Sequence, residues 1–133
     1  MGGSHWVFSV VNLHNWNITI YDSNAHLLPN YPQYRQEQVL PLRRLFLLIC
    51  KNSSYYDDSK RKKQGLTCMK AVRLAHYLFP CQVDGSSCGA FMLKGIEYVM
   101  MGKEPNFNFG QQDIPAFRKQ AARDIFANST EIE

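Results

Sequence analysis

The chain has 133 residues, of which 45% are hydrophobic and 13% aromatic, and its formal net charge is +4. This length and apolar content predict one globular domain, or part of one, and exclude a disordered chain. The charge is too small to indicate a nucleic-acid-binding protein by itself, and no stretch is apolar enough to cross a bilayer.

The N-terminal segment predicts a β-hairpin. Residues Trp6–Asn12 alternate in the manner of a strand, and the apolar character of both faces predicts an interior strand. Turn-forming residues follow, and Ile18–Asp22 predicts an antiparallel partner strand. Because a tight hairpin returns the chain to its starting level, we expect His5 and Asp22 to lie side by side at one edge of the sheet.

The middle of the chain changes from a strand-like to a helical pattern. Residues Tyr31–Asn52 predict a helix, in which Pro41 either occupies the first turn or kinks a longer helix. The helical spacing is carried by Leu42, Leu45, Phe46 and Ile49. Ser53–Gly65 is polar and predicts an exposed loop within the domain, and its basic run Lys60–Lys63 leaves a nuclear-localisation patch or a nucleic-acid contact as weaker alternatives.

The C-terminal half predicts a strand followed by two helices. Ala71–Phe79 fits either a strand or a helix, and its place before the turn at Gly85 favours a strand. The next helix, Gly89–Met101, is expected to end at a Gly102 cap and to bury Phe91, Met92, Ile96 and Val99. Asp113 is expected to cap the last helix, with Pro115 in its first turn and an apolar stripe formed by Phe117, Ala121, Ile125 and Phe126.

The four cysteines, Cys50, Cys68, Cys81 and Cys88, predict free thiols. None forms a CxxC pair, so the sequence does not support a zinc site, and nothing in it calls for another metal or a cofactor. Residues Met1–His5 lack the basic and apolar regions of a signal peptide. We therefore expect an intracellular protein, in the nucleus or the cytoplasm.

Cys88 is the candidate nucleophile. It opens the predicted helix behind Gly85, where backbone N–H groups stabilise a thiolate, although a buried cysteine that opens a core helix fits the same local pattern. A nucleophilic cysteine needs a base and a group that orients the base, and His5 and Asp22 supply both residue types. The amide of Gln82 is a candidate donor to the oxyanion, as is the backbone N–H of Cys88.

These motifs resemble the ubiquitin-like-protein-specific proteases, also called SUMO or sentrin proteases. The family has a His-Trp that opens a strand, an Asp-Ser after the next strand, and a Gln-x-Asn-Gly-x-Asp-Cys-Gly segment. The matching residues are His5-Trp6, Asp22-Ser23 and Gln82–Gly89, and Asp113–Arg118 resembles the closing helix of the family. The resemblance runs from His5 to about Phe126.

The resemblance implies an α+β fold of the papain-like cysteine-protease type, with a small central sheet flanked by helices. It implies a thiol protease or isopeptidase that cleaves after the C-terminal Gly-Gly of a ubiquitin-like modifier, in precursors or conjugates. His5 is then the base, Asp22 its orienting carboxylate, Cys88 the nucleophile and Gln82 an oxyanion donor. Trp6 is expected to cover the Gly-Gly tail of the substrate.

Several features depart from the family pattern. Asp84 stands where the family has Asn, and Ser87 stands where it has Asp, so we expect a carboxylate contact to be lost while Ser87 still caps the helix. The family's residues before the His-Trp strand are absent, so we expect residues 1–133 to form one incomplete domain. The alternative function is a truncated or inactive pseudo-protease that binds a partner, or itself, through an uncovered sheet face.

Overall fold

A computed structural model describes residues 4–27, 30–53, 55, 71–74 and 78–129 of the chain. Its elements, in chain order, are β1 (Phe8–Asn12), β2 (Asn17–Tyr21), α1 (Tyr31–Asn52), β3 (Ala71–Leu74), α2 (Cys88–Met100) and α3 (Ile114–Ser129), with short 3₁₀ turns at Ala25–Leu27 and Gln111–Asp113. The expected α+β class is confirmed. The predictions for most of the Ser53–Gly65 loop, for Lys60–Lys63 and for Cys68 lie outside the described residues.

The predicted N-terminal hairpin is present, but the position of β1 in the sheet differs from the expectation. The strand order is β1-β2-β3, and β1 and β2 run antiparallel. Among the strands that the structure describes, β1 is therefore an edge strand and β2 is central. The apolar pattern indicated that both faces of β1 are covered, but it carries no information on how many hydrogen-bonded neighbours a strand has.

The chain divides into two compact units. The site unit comprises residues 1–8, 20–28 and 75–133, and the α1 unit comprises residues 9–19 and 29–74. Every candidate site residue lies in the site unit.

An aromatic cluster forms the core of the site unit. The ring of Phe79 lies 5.5 Å from that of Phe8, 5.6 Å from Tyr21 and 5.1 Å from Phe107, measured between ring centroids. Helix α2 can pack against this cluster because residue 95 is glycine. A Cβ at Gly95 would lie 2.6 Å from Phe8 and 2.7 Å from Phe79, closer than any real contact.

Helix α2 begins and ends close to the predicted positions. At its C-terminus Gly102 has φ of +68°, the left-handed conformation that glycine adopts without strain. The N–H of Gly102 donates to the carbonyl of Val99, and that of Lys103 donates to the carbonyl of Tyr98. This is a Schellman cap, so the predicted cap at Gly102 is confirmed. Phe91 is fully buried, whereas Met92, Ile96 and Val99 are half-buried.

Helix α3 begins directly after Asp113 and has Pro115 in its first turn, as predicted, but its apolar face differs from the prediction. The carboxylate of Asp113 accepts the N–H of Gly110 at 2.8 Å. Ile114 is buried at the start of the helix, but Ile125 and Phe126 are 70% and 75% exposed, so the predicted buried stripe is wrong in the last turns. The apolar spacing continues along α3 beyond the turns through which the helix packs.

Helix α1 has 22 residues, and Pro41 lies inside it and not in its first turn. Of the two predicted alternatives for Pro41, the longer helix is therefore confirmed. Of the residues that carry the helical spacing, Leu42, Leu45 and Ile49 are exposed. The helix instead buries a neighbouring stripe, with Val39 and Cys50 buried and Phe46 half-buried between them. No described helix is long and apolar enough to span a membrane.

Candidate active site

The base half of the site stands at the two strand ends of the hairpin. His5 precedes β1 and Asp22 follows β2, and the imidazole Nε2 lies 2.6 Å from Asp22 Oδ1. Asp22 is 1% exposed, and its Oδ1 also accepts the backbone N–H of Asn24 at 2.8 Å. A buried carboxylate requires such partners. With Nε2–H donated to Asp22, the lone pair of the neutral imidazole is on Nδ1, the nitrogen that can accept a proton.

The nucleophile half of the site is the N-terminus of α2. Cys88 is the first residue of this helix and is 8% exposed. The first N–H groups of a helix have no intrahelical partner, and they favour negative charge on a sulfur placed there. In the part of the chain that the structure describes, His5 hydrogen-bonds to Asp22 and not to Cys88. Catalytic hydrogen bonds of this kind often tighten only when substrate binds.

Gln82 is an interior residue and not a solvent-facing one, because it is only 1% exposed. Its Oε1 accepts the hydroxyl of Ser23 at 2.6 Å, and its Nε2 donates to the backbone carbonyl of Asp84 at 2.7 Å. The Gln82 backbone N–H also donates to the carbonyl of Ser23 at 3.0 Å. The amide is therefore held in one orientation, and Nε2 keeps a second hydrogen for another acceptor.

Two contacts bring the halves of the site next to each other. The pair of hydrogen bonds between Ser23 and Gln82 joins the residue after Asp22 to the loop before Cys88. The indole of Trp6 lies against α2, since a Cβ at Gly89 would be 3.7 Å from Trp6 Cδ1. The residue after His5 thus touches the residue after Cys88. Trp6 is otherwise 57% exposed, as expected of a residue that covers part of the site.

The segment 82–87, here called the Cys88 turn, is organised by a carboxylate. Asp84 Oδ1 accepts the N–H groups of Ser86 at 3.2 Å and Ser87 at 2.9 Å. Asp84 Oδ2 accepts the Ser87 hydroxyl at 2.6 Å and Gln111 Nε2 at 2.9 Å. The hydrogen bond from the Ser87 hydroxyl is the main cause that holds the pKa of Asp84 below its usual value.

The expectation that Ser87 caps the helix is wrong. Ser87 occupies the N-cap position, but its hydroxyl makes no capping hydrogen bond. That hydroxyl donates to Asp84 instead. Asp84, three residues earlier in the chain, places a carboxylate against the Ser87 hydroxyl, and the expected loss of a carboxylate contact at position 87 stays a prediction.

Two residues that the sequence analysis did not assign to the site hold the Cys88 turn from outside. Gln111 Oε1 accepts the N–H of Val83 at 3.0 Å, and Arg118 Nη2 lies 3.3 Å from the carbonyl of Ser86 and 3.1 Å from Ser87 Oγ. Their distance along the chain from Cys88 conceals this role. The position of Arg118 inside the motif that resembles the family's closing helix was the only available signal.

Cys81 is a second thiol, near enough to Asp22 to be affected by its charge. It is free and exposed, but desolvation, followed by the charge of Asp22, raises the pKa of its thiol. Cys81 is thus kept protonated near the carboxylate. Within the described ranges, no cluster of three or more His, Cys, Asp or Glu side chains is arranged to hold a metal ion.

One known protein family matches nearly the whole chain. Residues 1–131 match the family described as "Ulp1 protease family, C-terminal catalytic domain". The match covers nearly the whole chain, and it confirms the resemblance noted from the motifs. The chain belongs to the Ulp1 protease family, whose members are cysteine peptidases that act on ubiquitin-like proteins.

Proposed function

We propose that this chain is a thiol protease or isopeptidase that cleaves after the C-terminal Gly-Gly of a SUMO-type modifier, in precursors or conjugates. Cys88, His5 and Asp22 form its catalytic triad, and Gln82 is an oxyanion donor. The observation that carries the proposal is the hydrogen bond from His5 to the buried Asp22, beside the turn that leads to Cys88. A base and its orienting carboxylate are the partners that a nucleophilic thiol requires.

The reaction begins with proton transfer from Cys88 Sγ to His5 Nδ1. The thiolate forms a C–S bond to the carbonyl carbon of the terminal glycine, and the π electron pair of the C=O bond moves onto the oxygen. The resulting oxyanion accepts hydrogen bonds from the Cys88 backbone N–H and from Gln82 Nε2. When the intermediate collapses, the C–N bond breaks and the imidazolium gives its proton to the leaving amine, which leaves a thioester on Cys88.

The second half of the reaction hydrolyses the thioester. His5 removes a proton from water, and the resulting hydroxide adds to the thioester carbonyl. The C–S bond then breaks, and the proton returns to Cys88 as the modifier leaves with a free carboxylate. Asp22 accepts the hydrogen bond from Nε2 throughout, and it stabilises the imidazolium that forms in each half.

Trp6 is the proposed substrate-binding residue. Its exposed indole lies beside Gly89, next to the nucleophile. A flat aromatic surface at this place leaves room for a tail without side chains, which supports specificity for Gly-Gly. A free catalytic thiol requires a reducing compartment, so we propose that the enzyme acts in the nucleus or cytoplasm.

The test uses a SUMO-type modifier with an electrophile in place of its C-terminal carboxylate. We expect the wild-type chain to form a covalent adduct, seen by intact mass and mapped to Cys88, and we expect Cys88→Ala to form none. Cys81→Ala is the matched control and keeps the adduct. Binding of the modifier without an adduct would identify the pseudo-protease alternative, and an adduct that survives Cys88→Ala would contradict the assignment of the nucleophile.

A further inference from the structure

We infer that Asp84 is a positioning residue for the reaction proposed above, and that Asp84 and Ser87 form a pair in which the carboxylate can stand at either position. The inference rests on the proposed function, because it concerns the geometry of the proposed oxyanion donor. Asp84 lies outside the proposed triad, within the Cys88 turn.

Asp84 contacts both parts of the turn that matter for the chemistry. Its carboxylate holds the N–H groups of Ser86 and Ser87, the two residues that lead into the nucleophile. Its backbone carbonyl accepts Gln82 Nε2 at 2.7 Å. A shift of Asp84 therefore moves the amide of Gln82 and the start of α2 together.

Hydrogen-bond donors surround the space between the side chains of residues 84 and 87. Gln111 Nε2 lies 2.9 Å from Asp84 Oδ2 and 3.5 Å from Ser87 Oγ, so it reaches both side chains. Arg118 Nη2 lies 3.1 Å from Ser87 Oγ and brings a full positive charge. Donors of this kind favour one carboxylate in the space between them.

The same geometry excludes two carboxylates. Asp84 Oδ2 and Ser87 Oγ are only 2.6 Å apart. A second negative charge at position 87 would face the first across this distance and would remove the hydroxyl proton that joins the two side chains. The pair therefore requires one charge, not none and not two.

This requirement explains why the two departures from the family motif occur together. The motif has Asn and Asp at the positions of Asp84 and Ser87. An asparagine at position 84 can donate through Nδ2 to an aspartate at position 87, whose second oxygen then faces Arg118. Each arrangement provides one carboxylate and one bond across the pair, with donor and acceptor reversed.

The test compares four forms of the full chain: wild type, D84N, S87D and the double variant D84N/S87D. Each is assayed for kcat and KM on a SUMO-type modifier with a fluorogenic C-terminal amide. Because the Asp84 side chain is exposed, solvent weakens the contribution of its hydrogen bonds to kcat. We expect D84N to lower kcat by about tenfold with little change in KM, and S87D to lower it by more. The double variant should return to within about threefold of wild type, since its two changes compensate.

Alkylation of Cys88 by iodoacetamide separates positioning from a general loss of structure. This reaction forms no oxyanion, so D84N should alkylate within about twofold of the wild-type rate while its kcat falls. A wild-type kcat for D84N, or a double variant whose loss is the product of the single losses, would overturn the inference.

Thermal melting distinguishes a failure of the inference about Asp84 and Ser87 from a failure of the proposed protease function. If the wild-type chain does not hydrolyse the substrate, the proposed function fails. Melting temperatures then still test whether the carboxylate can be exchanged between positions 84 and 87. The double variant should melt close to wild type, and S87D should melt several degrees lower or fail to fold. If the double variant loses the sum of the melting-temperature losses of D84N and S87D, the two positions do not compensate each other and the inference is rejected.

Discussion

The two halves of the candidate site are held by different kinds of contact. His5 and Asp22 meet because they stand at the ends of two paired neighbouring strands. The Cys88 turn is held by side chains that come from distant parts of the chain, namely Ser23, Gln111 and Arg118. The base half thus depends on local chain geometry, whereas the nucleophile half depends on tertiary packing.

This difference determines how each half should respond to substitution. The base half places one buried charge against one imidazole, so we expect loss of that charge to have a large effect. The nucleophile half spreads its support over several hydrogen bonds, so single losses there should be smaller. The following predictions probe this contrast.

The largest effect is expected for Asp22→Asn. The change keeps the shape of the side chain but removes the charge that stabilises the imidazolium, and we expect kcat to fall by about 10²–10⁴-fold. Asp124→Asn, at an exposed position on α3, is the matched control and should retain wild-type kcat. A wild-type kcat for Asp22→Asn would mean that the base half is not built around this carboxylate.

Gln82→Ala should cost less, about 10²-fold in kcat, because one oxyanion donor is lost while the Cys88 backbone N–H remains. Ser23→Ala leaves the amide in place without the hydroxyl that orients it, and we expect a loss of about tenfold. Steady-state kinetics on the fluorogenic substrate measure both losses. Equal losses would show that Gln82 acts only through the packing of the turn.

Gly95→Ala tests whether the two halves share one core. The added methyl group would collide with Phe8 from β1 and with Phe79, which precedes the Cys88 turn. We expect the free energy of unfolding to fall by about 1–3 kcal/mol, as is typical of overpacking. Gly85→Ala is the control, since a Cβ there meets nothing within 4 Å. Chemical denaturation that gives equal stabilities for both variants would contradict the packing described here.

The smallest effect concerns Cys81. Its thiol pKa is raised from 9.0, so its thiolate should appear only at more alkaline pH than for an ordinary cysteine. We expect iodoacetamide at pH 7 to modify Cys88 first, and Cys81 to react only at more alkaline pH than an ordinary cysteine. Peptide mapping by mass spectrometry follows both sites, and faster labelling of Cys81 at pH 7 would contradict the prediction. Asp22→Asn should allow Cys81 to be labelled at a lower pH, because it removes the negative charge that helps to raise the thiol pKa.

The elements that depend on local pattern were predictable. The strand alternation and turn residues predicted the hairpin, and with it the meeting of His5 with Asp22. The apolar spacing and Gly102 predicted α2 and its cap. The buried face of α1 was not predictable, because several adjacent stripes of that helix are apolar. The same limit applies to Ile125 and Phe126, since apolar spacing does not show where a partner surface ends.

The sequence by itself determined the strand ends that carry the proposed base, the helix start that carries the Cys88 thiol, and the family to which the motifs point. Only the tertiary structure decided that Gln82 is buried against Ser23, and that Gln111 and Arg118 reach the Cys88 turn. The physical reason is the range of the interactions. Backbone periodicity and turn chemistry act over a few residues, whereas the donors around the Cys88 turn come together only when distant segments pack.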